Sequence, residues 1–193
     1  MGIKHTIYSA LRLLILPIEK IDEATPKKGK IIDYGCGYGV TSIYLALSSN
    51  KRKITGIEHN EERIKSAQIG GKQIKNLSFF KGSIVDMKFH SAKAHLLIDV
   101  LHHLPYKQQI ILLNNILKVM GKDDIIIIKE LGKKPFFKYL WNYVHDKIMT
   151  FNEPLFFRDE KWFVTFFKRI GIKIKLIKCE NFFYSHFIAV ARR

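Results

Sequence analysis

Residues 31–39 read Ile-Ile-Asp-Tyr-Gly-Cys-Gly-Tyr-Gly: an apolar run reaches Asp33, then glycines recur at 35, 37 and 39. Such a stretch offers a ligand backbone rather than side chains. A strand end, a tight turn and a helix N-terminus together present N–H groups to a polar ligand. Glycine lets that ligand approach the chain closely. Nineteen positions after Gly39, Glu58 closes the apolar stretch Ile54-Thr55-Gly56-Ile57. An acid there can accept both hydroxyls of a ribose. These residues point first to a nucleoside-bearing cofactor.

The spacing discriminates between cofactors. The dinucleotide fingerprint G-x-G-x-x-G needs a small residue where the pyrophosphate meets the helix. Here that place holds Val40, and the third glycine comes one position early. Asp33 also sets a carboxylate ahead of the first glycine, where it would repel pyrophosphate and attract a cationic amino acid group. S-adenosylmethionine, with its ammonium and sulfonium, is therefore favoured over NAD.

The ordered set is Asp33 with its glycines, then Glu58, then Gly82-Ser83, then Asp99-Val100-Leu101-His102-His103-Leu104-Pro105. It resembles class I S-adenosylmethionine-dependent methyltransferases over residues 30–130. The resemblance implies that Gly35 and Gly37, with Cys36 between them, back the methionine part of the cofactor. Glu58, with His59 beside it, would hold the ribose diol, and Ser83 and Ile84 would flank the adenine. Asp99, closing the fourth strand, would face the methionine amino group; a helix N-cap is a second and compatible role. Two departures stand out: Ser83 and Lys93 each occupy a place where many relatives carry Asp. The expected product is S-adenosylhomocysteine. No pair of His and acidic residues has metal-ligand spacing, so no metal is expected.

Methyl transfer is a displacement at a carbon activated by sulfonium, so alignment supplies most of the acceleration. A hydroxyl acceptor also benefits from a general base, and histidine suits that task near neutral pH. The catalytic candidates are His102 and His103 beyond strand four, Glu130 at the end of strand five and His186 in the last strand. His103 with Glu130 is the leading pair. Cys36 reads as a small turn residue rather than a nucleophile.

The elements that must carry these groups follow from periodicity. The strands are expected at 30–33, 53–58, 77–81, 94–99 and 125–130, with helices at 39–48 and 61–70 and after Pro105. The last of these should bury Ile110, Leu113, Ile116, Leu117 and Met120. The run Ile125-Ile126-Ile127-Ile128 implies a strand covered on both faces, hence parallel and central. Residues 172–178 alternate Ile and Lys, and 187–191 are apolar, which predicts an antiparallel pair. The fold class is α/β: a Rossmann-like, doubly wound, mostly parallel sheet with a C-terminal antiparallel hairpin, and the ligand at the strand C-termini. One methyltransferase domain fills 1–193. It has an N-terminal helical segment (1–29), a cofactor-binding core (30–130), an aromatic insert or cap (131–169) and the hairpin (170–193).

That insert is rich in rings. Residues 135–167 hold 12 of the 24 Phe, Tyr and Trp residues, and their Lys and Arg balance their Asp and Glu. A neutral aromatic cover suits an apolar or aromatic acceptor. Tyr139 and Trp141 are the substrate-contact candidates, while Trp162, Phe163, Phe166 and Phe167 have the spacing of a buried helical face. Lys129-Glu130, Lys138-Tyr139-Leu140-Trp141-Asn142, Glu153-Pro154 and Tyr184-Ser185-His186 are similar to a group of small bacterial methyltransferases. That likeness implies lipid-like or aryl-polyene pathways and a small-molecule or lipid-linked acceptor.

Composition adds a formal net charge of +16, from 33 basic and 17 acidic side chains. Such an excess suits an anionic membrane, a nucleic acid or an acidic partner. Lys27, Lys28, Lys30, Lys51, Arg52, Lys53, Lys168, Arg169, Lys173, Lys175 and Lys178 fall near strand edges and helix ends, as a solvated basic surface would. No nucleic-acid-binding motif accompanies them, so methylation of RNA or protein through this basic surface is the alternative reading. The expected location is the cytoplasm, with peripheral contact with an anionic inner membrane as an extension of it. The expected assembly is a monomer or homodimer.

Overall fold

The computed structural model describes residues 15–132, 154–180 and 185–193. Tyr139 and Trp141 lie outside them. Helix α1 (Ile18–Ala24) begins directly after Pro17, whose fixed φ suits a helix start. Then come β1 (Gly29–Tyr34), α2 (Val40–Ser48), β2 (Arg52–Glu58), α3 (Glu61–Gly71), β3 (Leu77–Lys81) and β4 (Ala94–Ile98). A 3-10 turn at Leu101–His103 leads to α4 (Tyr106–Val119), β5 (Ile125–Leu131), α5 (Glu160–Arg169), β6 (Lys173–Glu180) and β7 (Ser185–Arg192).

The seven strands form one sheet in the order β3-β2-β1-β4-β5-β7-β6. The first five are parallel, and β7 lies antiparallel between β5 and β6. This is the class I methyltransferase form of the Rossmann-like fold. The strand order reverses between β1 and β4, which is where such sheets open a crevice at their carboxyl ends.

Two cores hold the sheet. On one face Ile31, Ile54, Leu96 and Ile127 pack with Ile21, Leu45 and Ile64 of α1, α2 and α3. On the other, Ile32, Leu97, Ile128 and Phe187 meet Leu113, Ile116, Phe163 and Phe167 of α4 and α5. Every residue of β5 is buried. Its isoleucines contribute about 1.5–3 kcal/mol each, so the polar residues at its end stand on a rigid base.

The helix ends obey local chemistry. The Asn60 side chain accepts from the Arg63 N–H, and Glu61 and Glu62 occupy the positive first turn of α3. The Asp159 carboxylate accepts from the Trp162 N–H at the start of α5.

Two expectations need correction. Ile110 is exposed, while Leu113, Ile116 and Met120 bury as expected; Gln109 and Leu112 complete the inward face of α4. Arg52 does not belong to the basic surface, because it is wholly buried. Its guanidinium donates to the carbonyls of Pro26 at 2.8 Å, Thr25 at 2.8 Å and Leu45 at 3.0 Å, and to Asp22 Oδ1 at 2.5 Å. It thereby ties α1 and α2 to the start of β2. Burial pushes the Asp22 carboxyl up, but hydrogen bonds from Lys27, Arg52 and Ser48 leave it below its ordinary value. Among the described residues no helix is long and apolar enough to cross a membrane.

Candidate active site

The glycine loop joins β1 to α2 at the switch point. The N–H groups of Gly35 and Cys36 both donate to the Ile57 carbonyl, at 2.8 and 3.0 Å, which pins the loop to β2. Gly35 and Gly37 have φ of +68° and +56°, a region side chains disfavour. A Cβ on Gly37 would meet no heavy atom within 4 Å, whereas one on Gly39 would stand 2.6 Å from the Phe79 ring. Gly37 thus has open space beside its Cα, and Gly39 makes room for packing behind the loop.

Glu58 reaches back into this loop. Its Oε2 accepts from the Gly37 N–H at 3.0 Å and its Oε1 from the Asn60 N–H at 2.9 Å. His59 Nδ1 lies 2.9 Å from the same Oε1, although that ring is largely exposed. The Asp33 carboxylate is buried and accepts from the Ser42 hydroxyl of α2 at 2.6 Å. Both carboxylates therefore stand at the carboxyl ends of neighbouring strands, flanking the glycines. Cys36 is not a reactive thiol. Burial first, and the Asp33 and Glu58 carboxylates next, push it far above the ordinary range.

On the far side of Glu58, Gly82 N–H donates to the Glu58 carbonyl at 3.0 Å, which brings Ser83 and Ile84 to the same edge. The Ser83 hydroxyl donates to Asp86 Oδ2 at 3.1 Å. An acid thus reaches this place from three residues downstream, which the motif spacing did not suggest.

Beyond β4 stand two charge pairs. Lys129, 1% exposed, donates to Asp99 Oδ1 at 2.7 Å. Asp99 is not a helix N-cap: Val100 caps the 3-10 turn and Pro105 caps α4. Its carboxylate is neutralised by a lysine that the sequence hides in an isoleucine run. Glu130, on the opposite face of β5, lies 2.5 Å from His102 Nδ1 through Oε2. Its Oε1 accepts from the Leu101 N–H at 2.9 Å. Both partners are nearly sealed from water. The carboxylate selects the tautomer with hydrogen on Nδ1, leaving Nε2 as the basic nitrogen.

The other candidates separate. His103 is exposed, with its ring centroid 4.2 Å from that of His102. His186 pairs opposite Leu131, and by strand alternation it shares the Ile188 face with Lys129 rather than the Phe187 face with Glu130. The structure thus joins Glu130 to His102, not to His103 or His186. One atom each of Asp99, His102 and Glu130 lies within 4.8 Å of the others, close enough to suggest a metal triad. The Lys129 ammonium already serves Asp99 Oδ1, and the Leu101 N–H serves Glu130 Oε1.

The family described as a methyltransferase domain matches residues 26–152. The chain therefore belongs to the methyltransferase domain family, in its class I, S-adenosylmethionine-dependent form. A solved magnesium protoporphyrin IX methyltransferase of Synechocystis PCC 6803, with bound S-adenosylhomocysteine, superposes with a TM-score of 0.67 at 18% identity. The match covers 98% of this chain and 82% of that one. An O-methyltransferase family 2 protein of Planctomyces limnophilus, in complex with apigenin, gives 0.74 at 12% identity over 91% of this chain and 57% of that one. These likenesses are of fold. An uncharacterised RNA methyltransferase of Leptospira interrogans is 37% identical over 67 residues, 33% of this chain. The chain spans 16% of the length of that curated relative.

Proposed function

We propose that this protein transfers a methyl group from S-adenosylmethionine to a hydroxyl of an apolar or aromatic acceptor, a small molecule or a lipid-linked one. The buried His102–Glu130 pair, 2.5 Å apart at the crevice, carries this reading. The glycine cradle supports the donor reading: Gly37 leaves the space beside its backbone open, and Glu58, which accepts from the Gly37 N–H, would hold a ribose diol. When bound, the donor supplies an electrophilic methyl group on sulfonium. His102 Nε2 takes the acceptor hydroxyl proton, and Glu130 steadies the imidazolium that results. The negative ends of Asp33 and Glu58 favour a cationic ligand over a phosphate.

Rings near the base support an apolar acceptor: Phe157 stacks on His102 with centroids 5.0 Å apart. The Planctomyces limnophilus protein was solved with apigenin, an aromatic molecule, which is in keeping with this class. The likeness of residues 129–186 to small bacterial methyltransferases extends the class to lipid-like acceptors. A second reading, methylation of RNA, is favoured by the net charge of +16 and by the name of the Leptospira relative.

Isothermal calorimetry with S-adenosylhomocysteine tests the donor. Saturable binding is expected, with at least about a tenfold loss in Glu58→Ala, since a charged hydrogen bond contributes ~1.5–3 kcal/mol. Heat that is absent in the wild type, or unchanged in the variant, removes the reading. Binding of RNA with a steep salt dependence would move the acceptor to the second class.

A further inference from the structure

We propose that Gln109 is the positioning residue for the His102 base, an inference that rests on the role of His102 given above. Gln109 is fully buried in the first half of α4, among leucines and isoleucines. Its Nε2 lies 2.9 Å from the Leu101 carbonyl, 2.9 Å from that of Leu104 and 2.8 Å from that of Phe156. Leu101 and Leu104 bracket the two histidines. Phe156 precedes the ring that stacks on His102, and its own N–H donates to the His102 carbonyl at 2.8 Å. One amide therefore gathers both walls of the imidazole's seat.

The orientation of that amide is dictated from outside. Arg158 Nε lies 2.9 Å from Gln109 Oε1. A guanidinium can only donate, so the amide oxygen must face Arg158 and the NH₂ must face the carbonyls. Arg158 is itself held between two rings, 4.4 Å from the centroid of Tyr106 and 3.8 Å from that of Trp162. The stack runs Trp162, Arg158, Gln109, then the turn bearing His102. It couples α5 and the Phe156–Phe157 segment to the base. A leucine at 109 would fill the space and leave the turn without its ties.

Proton NMR of the full-length protein with selectively ¹⁵N-labelled histidine tests this. In the wild type the His102 Nδ1 proton, shared with Glu130, is expected as a far-downfield resonance, assigned by its loss in His102→Asn. In Gln109→Leu that resonance should vanish or move upfield, and in Arg158→Met it should shift part of the way. Affinity for S-adenosylhomocysteine should stay within about twofold in both variants. Arg158→Met lies nearer the surface and decides the matter if Gln109→Leu does not fold. An unmoved resonance in the folded variants overturns the inference, and so does its absence from the wild type. Failure of the wild type to bind S-adenosylhomocysteine would instead strike the donor assignment, which the resonance does not report.

Discussion

Lys129 and Asp99 are joined twice: Nζ lies 2.7 Å from Oδ1, and the Asp99 N–H donates to the Lys129 carbonyl at 3.0 Å. Asp99 has φ of +55°, a conformation that costs a non-glycine residue ~1–3 kcal/mol and persists only where its surroundings impose it. The two bonds help to hold it. The turn carrying His102 starts from this fixed point.

Lys129→Met should therefore be costly although methionine fills the space well. It removes the cation 2.7 Å from a mostly buried carboxylate, a loss of about 3 kcal/mol in stability. Urea unfolding measures it. A change below ~1 kcal/mol would mean that the pair is dispensable.

The glycines of the loop should divide by role. Gly39→Ala forces a methyl against Phe79 and should lower stability by ~1–3 kcal/mol. Gly37→Ala meets no such obstacle. Its melting temperature should fall less, while its affinity for S-adenosylhomocysteine drops at least about tenfold. Thermal shift and calorimetry on both variants give the comparison; equal effects from the two would remove the distinction.

With a hydroxyl acceptor, His102→Asn should reduce kcat by ~10²–10⁴ with little change in donor affinity. Glu130→Gln should follow in the same direction, because it loses the carboxylate that selects the tautomer. His103→Asn, at an exposed position, should cost far less. A larger loss from His103→Asn than from His102→Asn would transfer the base to the neighbouring ring.

His95 lies buried in β4, with Nδ1 3.0 Å from the Tyr34 hydroxyl, and burial lowers its pKa to about 4. Above the unfolded value of about 6.5, neither state is protonated and the group is neutral for stability. As pH falls from about 6.5 to about 4, the unfolded chain takes up the proton first, so native stability drops. The drop approaches ~3 kcal/mol at the acid end, at 1.36 kcal/mol per unit. His95→Gln should flatten that part of the difference curve in urea titrations. An identical slope in both proteins would show that other groups carry the acid sensitivity.

Much of this was readable from the chain, for local reasons. The glycine loop, Glu58 and the strand alternation each lie within short runs whose spacing is itself the signal. Phe163 and Phe167 bury as their helical spacing suggests. The missing parts depend on partners far away in sequence. Lys129 is an ordinary strand residue until Asp99, thirty positions earlier, is placed beside it. Arg52 counts as surface charge until three carbonyls and Asp22 surround it. Gln109 reads as a polar gap in an apolar helix until a loop from residue 156 supplies an acceptor. The preference for His102 over His103 is likewise a matter of which ring a 3-10 turn points inward, which adjacent letters cannot tell.

Phe79 sits where added methyls on Gly39, Gly56 and Gly71 would all strike it, at 2.6, 2.5 and 2.8 Å respectively. One ring from an outer strand thus serves as the mould against which the donor loop is cast. The four positions are sterically coupled: a bulkier side chain at any of the three glycines requires the Phe79 ring to shift. A smaller side chain at 79 would open space behind the loop rather than beside Gly37, where no heavy atom would meet an added methyl.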